Sequence, residues 1–168
     1  VARAVSADGR VVVGYGYVSG HDEAFRWEDG VMEGLGRLSC SGFSRAYAIS
    51  ADGRVIVGGA PAFRWENARM DPLEGLEGRA AELACGVSSD GAVIAGVAYH
   101  PSGYKLVRWV HGDLEVLGSI ISPTDLRCSV SGDGSTIVWG QYPNADDYYS
   151  TTGYIWHTTF GLVGMRDY

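Results

Sequence analysis

At 168 residues, 46% of them hydrophobic, the chain has the length and apolar content of one domain with a core of its own. Thirteen Lys and Arg against 20 Asp and Glu leave a net charge of −7, with the basic residues scattered, so a phosphate-binding surface built on clustered cations is not expected and nucleic acid is excluded as a partner. No apolar run approaches the roughly 20 residues of a membrane helix, and no basic-then-apolar leader opens the chain, so membrane insertion is not expected either.

The stretch Val5-Ser6-Ala7-Asp8-Gly9 followed by Val11-Val12-Val13-Gly14 returns from Ile49, from Val87 and from Val130, at steps of 44, 38 and 43 residues. A recurring period of this size means an array of supersecondary units. In each copy Asp-Gly forms a tight hairpin: Asp bonds its own backbone and Gly takes the positive φ. The hairpin joins strand A to an apolar strand B. Because strand B is apolar on consecutive residues, it is expected to be covered on both faces. Excess glycine, 25 residues, is assigned to turns.

In chain order, the first period spans about 1–44. Its long link from Tyr15 to Glu23 leads to strand C, Ala24-Phe25-Arg26-Trp27, in which Phe and Trp point one way and Arg the other. Strand D, Val31 to Leu35, follows a short turn. The second period, about 45–82, repeats strand C as Ala62-Phe63-Arg64-Trp65 after a link shortened to Gly59-Ala60-Pro61, with strand D from Met70 to Leu76. From Leu76 to Leu83 a connector with at most one helical turn is expected.

The third period, about 83–126, carries Tyr99 to Tyr104 in its link, then Leu106-Val107-Arg108-Trp109 and a strand D from Leu114 to Leu117. The fourth, about 127–168, carries the longest link, Gln141 to Thr152, then Tyr154-Ile155-Trp156 and a strand D from Phe160 to Val163. Four antiparallel strands in roughly 42 residues is the size of a propeller blade. The expected fold is therefore all-β: a β-propeller of four blades of four antiparallel strands, or a four-blade part of a larger ring. No strand is shared across the closure, so a ring would close by packing alone or by two chains combining as a homodimer.

Each blade offers Trp27, Trp65, Trp109 or Trp156 at one equivalent place, the expected wedge between neighbours. Arg26, Arg64 and Arg108 beside them are expected to make blade-to-blade salt bridges or stem packing. Cys85 and Cys128 hold equivalent places, two residues before the strand A apolar residue, where the first two copies have Arg3 and Tyr47. Equivalent residues of adjacent blades are expected to lie somewhat beyond disulfide reach, so small buried thiols are favoured, with Cys40 in a connector.

The unit resembles the HAF family of extracellular bacterial tandem repeats. The matching residues are Ala4 to Gly9 with Ala24-Phe25-Arg26-Trp27, and Ala48 to Gly53 with Ala62-Phe63-Arg64-Trp65. The resemblance covers essentially the whole chain and implies a propeller-type scaffold with an extracellular or cell-surface location. It brings no catalytic residues with it.

For function, the links between strands B and C vary most, and loops on a rigid scaffold are where recognition usually sits. Tyr15, Tyr17, Tyr99, Tyr104, Tyr142, Tyr148 and Tyr149 fall in or beside them, with His21 and His100. Tyrosine offers rigid area and one hydroxyl, suited to a glycan face or to a peptide or protein partner. The leading expectation is a non-enzymatic binding module. A hydrolase acting on glycosidic or ester bonds through His21, His100 and the nearby Asp22 and Glu23 is the enzymatic alternative, and an inert spacer the third. Asp8, Asp52, Asp90 and Asp133 read as turn formers, and the run holding Asn144, Asp146 and Asp147 lacks the alternating ligands of a calcium loop. No metal and no cofactor are expected.

Overall fold

The computed structural model describes residues 1–39, 42–120, 126–141 and 152–165. These form four consecutive antiparallel meanders, with no helix among the described residues. Unit 1 is β1 (Ala2–Val5), β2 (Val11–Val18), β3 (His21–Glu28) and β4 (Val31–Gly34). Unit 2 is β5 (Arg45–Ile49), β6 (Ile56–Gly59), β7 (Phe63–Glu66) and β8 (Arg69–Pro72). Unit 3 is β9 (Leu83–Val87), β10 (Val93–His100), β11 (Gly103–Val110) and β12 (Asp113–Ser119), and unit 4 is β13 (Arg127–Val130), β14 (Thr136–Gln141), β15 (Thr152–His157) and β16 (Gly161–Met165).

The recurring Ser-x-Asp-Gly builds one hairpin four times. In unit 1 the Ser6 hydroxyl donates to Asp8 Oδ1 at 2.6 Å, the Arg10 N–H donates to the same oxygen at 3.0 Å, and the Val11 N–H donates to Ser6 Oγ at 3.0 Å. Ser50 with Asp52, Ser88 with Asp90 and Ser131 with Asp133 repeat the set. Gly9, Gly53, Gly91 and Gly134 follow at φ between 72° and 75°, where a Cβ would be strained.

These bonds favour the ionised carboxylate. Serine hydroxyls, and then the backbone N–H two residues on, hold Asp8, Asp52 and Asp90 below the usual carboxylate value, and Asp133 is lowered to about 2 by Ser131, the Ser135 N–H and the Ser135 hydroxyl. A folded-state pKa below the unfolded one contributes stability above the unfolded value of 3.8 that is lost as pH falls toward about 2. Acid unfolding followed by tryptophan fluorescence should therefore steepen in that window, and Asp133→Asn should flatten it.

The units pack face to face in chain order. Val11, Val13 and Ala24 of unit 1 meet Ile56, Phe63 and Trp65 of unit 2. Val55, Val57 and Ala62 of unit 2 meet Ile94, Val107 and Trp109 of unit 3, and Ala95, Val97 and Leu106 of unit 3 meet Ile137, Trp139 and Trp156 of unit 4. Successive residues of the second strand thus serve opposite neighbours, which is why that strand reads as continuously apolar. The four first strands form the hub: β1 packs on β5, β5 on β9 and β9 on β13. Around it runs a chain of backbone bonds, from the Ala7 N–H to the Ala51 carbonyl (3.0 Å), from Ala51 to Ser89 (3.0 Å) and from Ser89 to Gly132 (2.9 Å).

The two ends of this series are open. Ile56, Ile94 and Ile137 are at most 2% exposed, and Val12, at the same place in unit 1, is only half-buried. Met32, paired with Trp27, is 64% exposed, and Trp27 belongs to none of the three cores. At the other end Val138 is 40% exposed, although its equivalents Val13, Val57 and Ala95 are fully buried. Val163, two strands away in the same row, is 47% exposed. No core among the described residues joins unit 4 to unit 1, so a closed four-unit ring is not what these faces form.

Several expectations change. The links from Tyr15 to Glu23 and from Tyr99 to Tyr104 are not long loops: their residues extend the strands, leaving two-residue turns at Ser19-Gly20 and Pro101-Ser102. Alternating small and large residues, such as Tyr15-Gly16-Tyr17, suit a pleated strand, and Ser19 and Gly20 supply the positive φ of the turn. Units 2 and 3 are joined edge to edge by a single pairing of Gly59 with Leu83, because the short link after Gly59 lets the connector lie along that edge, where the Ala62 N–H donates to the Ala81 carbonyl at 2.8 Å. The connector contains a turn at Glu77-Gly78 rather than a helical turn.

The arginines beside tryptophan pair with carboxylates of their own unit, Arg26 with Glu28, Arg64 with Glu66 and Arg108 with Glu115, and not across units. Their reach to the next unit is of another kind. Arg64 donates to the Gly91 carbonyl at 2.6 Å, and the Arg108 guanidinium lies 4.0 Å from the centre of the Trp156 ring.

Cys85 and Cys128 are bonded as a disulfide with Cα atoms 5.4 Å apart, which corrects the reading of two buried thiols. At the hub β9 packs on β13, which brings these two equivalent positions within disulfide reach. Cys40 lies outside the described residues.

Candidate functional site at the hub

Three of the four hub strands carry a bulge. The register slips between Ala2 and Ala4, between Ala46 and Ala48, and between Ala84 and Gly86, leaving Arg3, Tyr47 and Cys85 as the extra residues. A bulge re-aims the side chain of its extra residue. All three line one cavity of about 620 Å³. A glycine within the second strand of units 1–3 makes this geometry possible: a Cβ on Gly14, Gly58 or Gly96 would collide with the carbonyl of Val1, Arg45 or Leu83. In unit 4 the register is regular, and Cys128 reaches the cavity without a bulge.

Arg3, Arg45 and Arg127 converge on this cavity, and no carboxylate lines it among the described residues. Arg45 is held by Asp22, with Nε donating at 2.7 Å, and it lies 5.1 Å from the Tyr15 ring centre. Burial works against its charge, but the hydrogen bonds it donates to Asp22 and Tyr47 outweigh that and raise its pKa. Arg3 donates to the Tyr15 hydroxyl at 2.9 Å and sits over Tyr15 at 5.3 Å and Tyr47 at 5.8 Å. Its Nε is buried with no hydrogen-bond partner among the described residues. Arg127 is exposed and forms no ion pair among the described residues. Leu83, Leu126 and the disulfide supply the apolar wall.

Of the residues singled out in the sequence, Tyr15 reaches this cavity and packs edge-on against Tyr47, ring centres 6.5 Å apart. Tyr17 stands 77% exposed on the β2–β3 hairpin. His21 faces Glu23 at 3.6 Å, whereas His100 faces Glu77 at 3.7 Å and bonds Ser102 at 2.7 Å, so each histidine has its own carboxylate rather than a shared one. Tyr99 meets Tyr104 edge-on at 5.6 Å under Arg79. Tyr142, Tyr148 and Tyr149 lie outside the described residues.

Sequence reasoning missed Arg3, Arg45, Tyr47 and Arg127 as a group, since they are spread over more than 120 residues. The available signal was the equivalence of Arg3, Tyr47, Cys85 and Cys128. A second cavity, about 540 Å³, opens at the Asp-Gly hairpin end between units 2 and 3, lined by Arg64, Asp90, Trp109 and His111.

No family model and no curated protein matches this chain. Among solved structures it is similar to TolB from Acinetobacter baumannii, with a TM-score of 0.66 at 17% identity over 92% of this chain and 40% of that one. A TolB-type protein from Agrobacterium tumefaciens gives a TM-score of 0.67 at 15% identity over 95% of this chain and 62% of that one. An oligogalacturonate lyase solved with manganese gives 0.59 at 13% identity over 99% and 52%. All are propeller proteins. The fold is β-propeller-like. The first strands of its four meanders pack in series, and all four contribute residues to the hub cavity. The chain spans between 40% and 62% of the length of these neighbours.

Proposed function

We propose that the chain is a four-blade arc of a larger exported bacterial propeller and acts as a non-enzymatic binding scaffold. Its ligand, a glycan, peptide or protein partner, enters at the end where the β2–β3 and β10–β11 hairpins stand. The observation that carries the binding role is the hub cavity, into which strand bulges turn Arg3, Tyr47 and Cys85. The arc reading rests on the end faces, where Val12, Met32 and Val138 occupy places that inner blades bury or partly cover. Export to an oxidising compartment is supported by the Cys85–Cys128 disulfide.

A further blade of the same chain, or blade 4 of a second copy laid on blade 1, fits those faces equally. Light scattering behind size exclusion separates the two: a second copy gives a dimer whose population rises with concentration, and a monomer at all concentrations leaves further blades as the closure. For the binding role, the test is a combined glycan and peptide array probed with the chain. Specific retention of one ligand class is expected, with Tyr17→Ala lowering retention and leaving the melting temperature unchanged. A blank array, or steady turnover of an arrayed ligand, would overturn the binding reading.

A further inference from the structure

We infer that the hub cavity is a carboxylate site for the free C-terminus of a peptide ending in an aliphatic residue, an assignment that rests on the binding reading above. In a chain of net charge −7, three guanidinium groups meet in one cavity with no carboxylate in its lining among the described residues. Among the described residues only Arg45 has an ion-pair partner there, Asp22. Arg3 keeps a buried Nε without an acceptor, and Arg127 stands free of ion pairs among the described residues. Guanidinium groups suit the two oxygens of a carboxylate.

The lining also selects the rest of the ligand. A pyranose ring would stack on an aromatic face, but Arg3 and Arg45 already lie 5.3 and 5.1 Å from the Tyr15 ring centre, and Arg3 also lies 5.8 Å from that of Tyr47. What remains open beside the arginines is Leu83, Leu126 and the Cys85–Cys128 bridge, an apolar wall for an aliphatic side chain. A cavity of about 620 Å³ holds a few residues of peptide.

The experiment is calorimetric titration with the peptide acid acetyl-Gly-Gly-Leu, its C-terminal amide, and glucuronate. The acid is expected to bind at least about tenfold more tightly than the amide, a difference of about 1.4 kcal/mol. Exposed Arg127→Ala, which removes no ion pair among the described residues, should weaken the acid about tenfold and leave the amide unchanged. Arg3→Lys, which keeps the charge but loses Nε, should fall between. Equal binding of acid and amide, no binding of either, or glucuronate binding more tightly than the peptide acid would each overturn the assignment. If an array ligand is found whose affinity survives Arg127→Ala and Arg3→Lys, the hub assignment fails and the binding scaffold stands; a blank array removes both.

Discussion

Trp109→Ala is expected to lower the free energy of unfolding by about 3–5 kcal/mol, the cost of emptying a large aromatic site in a packed core. The ring is 1% exposed in the core between blades 2 and 3, and its Nε1 donates to the Glu74 carbonyl at 2.8 Å. Truncation would therefore leave both a cavity and an unsatisfied carbonyl on the connector. The same change at Trp27 should cost about 1 kcal/mol or less, since its outer face meets no blade among the described residues. Urea titration of the two variants side by side at low protein concentration reads the difference directly. Equal losses would mean that the outer face of blade 1 is covered in solution, and the open arc would be wrong.

The second large effect concerns the disulfide. Cys85 and Cys128 close a loop of 43 residues between the hub strands of blades 3 and 4. On the chain-entropy account such a loop stabilises by about 4 kcal/mol. Replacing both cysteines with serine should lower the free energy of unfolding by about that much, and a reductant should do the same to the parent chain but nothing to the variant. Thiol titration of the denatured, unreduced protein should find one thiol per chain, from Cys40, rather than three. Three reactive thiols would remove the disulfide and the main support for an oxidising compartment.

Much of this architecture could be read from residues near one another in the chain. Ser6, Asp8, Gly9 and Val11 close their hairpin with bonds spanning at most five residues, so the same four residue types write the same turn wherever they recur. Doubly apolar second strands and the Phe-Arg-Trp third strands likewise carry their burial in local pattern, and the all-β blade-like unit followed from them. Where the sequence misled, the deciding term was not local. Tyr15 to Glu23 contains loop-forming residues, yet the cross-strand ladder of β2 with β3 outweighs them.

The repeat, the hairpin chemistry and the apolar strand faces follow from residue order, because hydrogen bonds within a turn and side-chain alternation depend on neighbours in the chain. Tertiary structure alone decided that the series stays open at both ends, that Cys85 meets Cys128, and that Arg3, Arg45 and Arg127 share a cavity. Each of these depends on how closely the first strands converge at the axis and where they bulge. That curvature is set by packing between blades, and no single repeat contains it.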